Sequence, residues 1–207
     1  MVMGADVVDV TVGGVNLECV KEFVYLGSLI TADNNCRKEI RRRIGIANGA
    51  FGSLHKLWKS KNVSMLVKLR VLDACVMSTL LYACESWTLL KADVQRLNAF
   101  EMKCYRRMLG IKWTEHEKND EIRRRLKRFK LISETVKERK LGLFGHICRM
   151  KDARLVKLAM FGTVEGKRKR GRPRRRWGDD VVEWTGMNLQ KAAWAAQNRE
   201  GFWRQRK

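Results

Sequence analysis

The stretch with the plainest chemistry is Lys167 to Trp177, KRKRGRPRRRW. Eight of its first ten residues are Lys or Arg, and it holds the only proline of the chain. So many like charges cannot be packed into a core without several kcal/mol of repulsion and desolvation, so the stretch either stays solvated or meets a polyanion. Lys167, Arg168, Lys169, Arg170, Arg172, Arg174, Arg175 and Arg176 are therefore candidate phosphate ligands. A solvated basic loop or a nuclear-import signal is the plainer alternative. Two shorter basic runs, Arg41-Arg42-Arg43 and Arg123-Arg124-Arg125, join them as candidates.

Metal and nucleophile chemistry have weaker footholds. His146 and Cys148 would form half a zinc site, but no C-x-x-C or H-x-x-x-C supplies the other half, so no metal is expected. Asp73 and Glu85 stand about 18 Å apart if they share one helix, too far to hold one ion. No G-x-x-x-x-G-K-(S/T) loop is present to cradle a nucleotide phosphate, and no cofactor is expected. His55, His116 and His146 read as surface or helix-edge residues. The cysteines at 19, 36, 75, 84, 104 and 148 lie mostly in apolar patterns without a repeated spacing. They read as reduced core thiols of an intracellular protein.

The elements that must position the basic residues follow from composition and periodicity. At 207 residues and 45% hydrophobic, the chain can bury a substantial core, so the net charge of +22 belongs to a folded protein. That charge is regional. Residues 1–35 hold one base against five acids, whereas 121–176 hold 21 against five, so a polyanion would meet the later chain. No run of 18 apolar residues occurs, and no membrane association is expected.

Val8, Val10 and Val12 alternate with polar residues, as do Val15, Leu17 and Cys19 after Gly13-Gly14, which predicts a β-hairpin with a two-residue turn. Phe23 to Ile30 reads as a third extended segment. From Asp33 the period turns helical, with Ile40, Ile44, Ala47, Phe51, Leu54 and Trp58 on one stripe and Gly45, Gly49 and Gly52 beside it. The glycines suit either close helix packing or close approach of a nucleic-acid backbone. Ser64 to Trp87 reads as a central buried helix, and Lys91 to Leu109 as a third, with Leu97, Phe100, Cys104 and Met108 inward and Gly110 at its end.

Ile122, Leu126 and Phe129 form a narrow seam, and the pair Thr135 and Glu138 would open the next helix, with Leu141, Phe144 and Cys148 inward. Pro173 would begin a helix carrying Trp177, Val181 and Trp184 and stopped by Gly186, before a last helix with Leu189, Ala193 and Ala196. The predicted class is mainly α. Residues 1–32 form a β-hairpin region, 33–113 a helical bundle, and 114–207 a basic helical region.

Six segments in order, over about residues 20–184, resemble one family. They are Phe23 to Ser28 with Glu39-Ile40, Arg43-Ile44 and Ala47; Leu81-Tyr82 with Glu85-Ser86-Trp87; Cys104-Tyr105-Arg106; Leu109-Gly110-Ile111; Gly145-His146-Ile147 with Arg149-Met150; and Gly171 to Arg174 with Arg176-Trp177. They resemble the part that follows the palm in reverse transcriptases of non-LTR (LINE-type) retrotransposons. The resemblance implies that the hairpin corresponds to the edge of the palm, the bundle to the thumb, and the basic region to a part that holds RNA template, target DNA or a hybrid duplex. It also implies an upstream palm as partner; separately, an intracellular, nuclear location is expected. Polymerases of this family hold two metal ions on palm aspartates, including an adjacent pair. The only Asp pair here, Asp179-Asp180, falls in a predicted helix of the basic region and reads as a helix cap or a partner to a nearby Arg. The chain is thus expected to bind nucleic acid without catalysing synthesis. The alternative is an independent DNA-binding or chromatin-associated module, since Arg170-Gly171-Arg172-Pro173 also resembles the core of an AT-hook.

Overall fold

A computed structural model describes residues 2–3, 11–162, 175–199 and 202. The class is mainly α, with short strand pairs near the start. Packing divides the chain into two units, one of residues 1–83 and 89–129 and the other of residues 84–88 and 130–207.

In the first unit, β1 (Val2–Met3) pairs in parallel with β4 (Cys19–Val20), and β2 (Thr11–Val12) pairs antiparallel with β3 (Val15–Asn16). Gly13 and Gly14 carry the turn between β2 and β3 with φ of 59° and 78°, a conformation open to glycine at no steric cost. Val8 and Val10 lie outside the described residues. The segment predicted as one extended run is instead a second hairpin, β5 (Glu22–Tyr25) with β6 (Ser28–Thr31). Its turn sits at Leu26 and Gly27, whose φ of 46° and 78° reverse the chain between the paired Tyr25 and Ser28.

Helix α1 (Cys36–Ser53) starts where the Asn35 side chain accepts from the Arg37 N–H at 3.1 Å, and it buries Ile40, Ala47 and Phe51. A turn at Leu54 separates it from α2 (His55–Lys59), whose Trp58 stacks on Phe51 with centroids 4.9 Å apart. The predicted helix from Ser64 to Trp87 is broken. It runs through α3 (Met65–Val71), a π-helical turn (Leu72–Met77) and α4 (Ser78–Leu80), and ends before Ala83, which adopts φ 55°. Nor is it buried all round, because Asp73, Ala74, Cys75 and Ser78 are exposed opposite Leu72, Val76 and Leu80.

Helix α5 (Lys91–Leu109) has the predicted bounds, inward Leu97, Phe100, Cys104 and Met108, and a left-handed Gly110 cap. Helix α6 (Asn119–Leu126) buries Ile122 and Leu126. Phe129, predicted on the same seam, is exposed because Lys127 adopts φ 53° and ends the helix first.

The second unit is built on α7 (Ile132–Cys148), which starts a turn earlier than predicted. Glu134, not Glu138, reaches back to accept the Leu131 N–H at 2.9 Å. Around α7 pack the 3-10 turn Cys84–Ser86, α8 (Leu155–Phe161), α9 (Trp177–Thr185) and α10 (Leu189–Ala195). Leu141, Phe144, Cys148, Val181, Ala192, Ala196 and Phe202 form its core. Helix α9 starts at Trp177, later than predicted, because Arg176 is extended and caps it, and Gly186 stops it with φ 66°, as predicted; Pro173 itself lies outside the described residues.

Candidate nucleic-acid interface

The three arginines at the start of α1 meet different fates. Arg43 is buried: its Nε donates to Glu39 Oε1 at 2.7 Å, Nη2 donates to the Gly27 carbonyl, and its guanidinium lies 4.4 Å from the centre of the Tyr82 ring. Arg42 donates to the other Glu39 oxygen at 3.1 Å and to the same carbonyl at 2.6 Å. Glu39 also accepts the Leu29 N–H at 3.0 Å, and the Tyr82 hydroxyl donates to the Leu26 carbonyl at 2.7 Å. This is a clamp that holds the Leu26-Gly27 turn against α1. Only Arg41 of the three is exposed and, among the described residues, has no acid partner.

Arg41 lies on the α1 face that carries Gly45, Gly49 and Gly52, which a helical period aligns. A Cβ added at any of the three would meet nothing within 4 Å. Helix packing therefore does not explain the glycines, and the face is an open surface without side chains. Asn48 stands at its edge and accepts from Lys103 of α5 at 2.9 Å, which brings a second cation to that border.

Arg123 is also internal. Its Nη2 donates to Glu101 Oε2 at 2.6 Å, and the Tyr105 hydroxyl donates to Glu101 Oε1 at 3.0 Å. Burial, reinforced by the neighbouring carboxylate, drives the Tyr105 pKa upward. Arg124 and Arg125 are exposed and face Glu121 at 3.2 Å and Glu117 at 2.8 Å. Exposed pairs of this kind contribute little and yield readily to a competing phosphate.

Of the long basic stretch, Lys167, Arg168, Lys169, Arg170, Arg172 and Arg174 lie outside the described residues. Arg175 is engaged within the second unit, donating to Asp180 at 2.7 Å and to Glu183 at 2.5 Å. Arg176 is exposed and precedes α9, where Asp179 accepts its backbone N–H at 2.7 Å. Asp179 is thus a helix cap. Asp180 is fully buried and takes Lys140 as well as Arg175. The adjacent aspartates do not converge on one open site.

Lys140 is a further buried cation, one that lies outside the three basic runs. It is fully buried, donates to the Trp87 carbonyl at 2.7 Å and to Asp180, and lies 4.6 Å from the Trp177 ring centre and 5.5 Å from that of Trp184. Trp177 in turn donates to the Glu85 carbonyl at 2.8 Å. The sequence does carry a signal: Lys140 stands four residues after buried Val136 and four before buried Phe144. Arg43 lies likewise between Ile40 and Ala47. A cation on an inward stripe needs an internal acid, and each has one.

Not all the cysteines are core thiols: Cys75 is exposed and Cys19 and Cys36 are half-buried, whereas Cys84, Cys104 and Cys148 are buried. Burial pushes Cys84 and Cys104 up to about 12 and Cys148 to about 11, so all three stay protonated at neutral pH. His146 is exposed whereas Cys148 is buried, so the two face apart on α7. The described residues contain no group of three or more His, Cys, Asp or Glu able to hold a metal. Among the described residues, no helix is long and apolar enough to cross a membrane.

A transposon-derived protein of Caenorhabditis elegans is 33% identical to this chain over 174 residues, covering 80% of the chain and 60% of that protein. That similarity supports a transposable-element origin. The chain spans about 60% of the length of this relative. No protein-family profile matches the chain, and no solved structure matches it.

Proposed function

We propose that the chain is the nucleic-acid-binding part downstream of the palm in a non-LTR retrotransposon reverse transcriptase, and that it does not synthesise DNA by itself. The observation that carries this reading is where the resembling segments meet. Gly27, Glu39 and Arg43 of the first resembling segment share one clamp with Tyr82 of the second, and Glu85 and Trp87 of the second share the surroundings of Lys140 with Trp177 of the last. Residues scattered along a chain keep a joint pattern when they touch, and the transposon-derived relative agrees with the origin that the pattern implies.

Nucleic-acid contact follows from charge and surface. The net charge of +22 remains largely uncompensated, with 44 basic residues against 22 acids. Arg41 and the open glycine face beside it offer a cation next to a helix surface that a phosphate backbone can approach closely. Phe23, Val24, Tyr25 and Leu26 are exposed on and beside β5, which pairs only with β6 among the described residues. An unpaired apolar strand edge suits the addition of a further strand, the place of an upstream palm in this reading.

Binding should weaken steeply with salt, because each neutralised phosphate releases condensed cations and steepens the log–log slope by about 0.9 on duplex DNA. Titrating a labelled duplex at several salt concentrations tests this, and a flat or absent dependence would sink the reading. Purified chain should extend no primer on an RNA or DNA template with Mg²⁺ or Mn²⁺. Template-dependent incorporation above a boiled control would contradict the non-catalytic part.

A further inference from the structure

The second unit carries an apolar groove of about 440 Å³ between the α8 and α10 side chains, lined among others by Leu158, Phe161, Ala193 and Trp194. Lys157 and Gln197 of its lining are already engaged. Lys157 donates to the Cys148 and Met150 carbonyls at 3.0 and 2.9 Å and faces Asp152 at 2.7 Å, and Gln197 donates to the Cys148 carbonyl at 3.0 Å. The apolar part is not satisfied. Trp194 is 82% exposed, and α8 buries none of its residues although Leu155, Val156 and Leu158 are all apolar.

Resting on the nucleic-acid reading above, we infer that this groove takes the bases of a single strand, with one base stacked on Trp194. Charge decides between occupants. Lys151, Arg154 and Lys191 are exposed within four residues of lining positions and have no acid partner among the described residues. A second copy of a chain with net charge +22 would bring like charges to this rim. A nucleic-acid strand brings phosphates to the cations and unpaired bases to the apolar floor, the pairing on which sequence-tolerant single-strand sites are built. A duplex keeps its bases stacked inside and has none to offer an exposed indole.

The test uses the full chain with a fluorescein-labelled oligo(dT) and, separately, a labelled duplex of the same length. Trp194→Ala should weaken oligo(dT) binding by about 5- to 100-fold while leaving duplex affinity and the salt slopes unchanged. Trp194→Phe, which keeps a stacking face, should retain most of the affinity. Replacing the thymines by abasic sites should reproduce the loss in the unaltered protein. Equal losses on both probes, or no loss on oligo(dT), overturn the inference while duplex binding leaves the broader reading standing. A dimer in sedimentation that Trp194→Ala dissolves, with oligo(dT) affinity unchanged, assigns the groove to a second copy and also overturns it. Failure of the unaltered chain to bind either probe overturns both readings.

Discussion

Arg41 and Arg43 stand two positions apart on one helix, yet a substitution at each should read out on a different instrument. Arg43→Ala leaves the Glu39 carboxylate buried against the Leu26-Gly27 turn with one of its two arginines gone, and losing one partner of a buried pair costs about 3 to 5 kcal/mol. Denaturant unfolding should register that loss, and a change below about 1 kcal/mol would show that Arg42 replaces Arg43 in the clamp. Arg41→Ala removes a solvated charge, so stability should move by under about 0.5 kcal/mol while the salt slope of binding falls by about one contact. The cysteines make a second residue-scale test. Cys75 is exposed on the π-helical turn, whereas Cys84, Cys104 and Cys148 are buried with raised pKa values. At pH 8, iodoacetamide should therefore label Cys75 fastest and spare those three until denaturant is added, as read by mass spectrometry. The same thiols bear on alkaline stability. They stay protonated in the fold up to about 11 or 12 but ionise in the unfolded chain near 8.5, so stability should fall as pH rises above about 9.

At the scale of elements, α1 holds the sharpest opposition between stability and use. Interior glycine costs a helix about 0.8 to 1 kcal/mol relative to alanine, and an added Cβ at Gly45 or Gly49 meets nothing within 4 Å. Replacing both with Ala should stabilise the protein by about 1 to 2 kcal/mol. If the face meets a phosphate backbone, the same variant should bind nucleic acid more weakly, because two methyl groups now stand where the strand approached. Higher stability with unchanged affinity would remove this face from the interface. What could be read of the elements beforehand depended on burial. Helix α5 was legible to its ends because Leu97, Phe100, Cys104 and Met108 keep a helical step and Gly110 closes it. Helix α8 left no periodic trace because none of its residues is buried, and the break before Ala83 was hidden because Leu81 and Ala83 are apolar in either conformation. The site was legible in part for the same reason. A run of arginines reads as surface, yet Arg43 and Arg123 each fall on an inward stripe and pair with Glu39 and Glu101.

At the scale of the whole molecule, the question is which charges a polyanion can take. Arg43, Arg123 and Lys140 are committed to internal carboxylates, and Arg175 is held by Asp180 and Glu183, so none of the four is available without a structural cost. The remaining charges of the basic stretch are Lys167, Arg168, Lys169, Arg170, Arg172, Arg174 and Arg176. Replacing these seven with Ala, while keeping Arg175, separates binding from folding. If half of them touch phosphates, the salt slope on duplex DNA should flatten by about 3 units, and affinity near 0.1 M salt should drop by at least one to two decades. Replacing Arg170 and Arg172 alone tells a phosphate clamp from an AT-hook. The clamp loses about two units of slope with no change in sequence preference, whereas the hook loses its preference for A·T tracts, where the narrow groove concentrates negative potential. An unaltered slope in the sevenfold variant would make the stretch a targeting signal or a bystander, and binding would then rest on Arg41, Lys103 and the glycine face of α1.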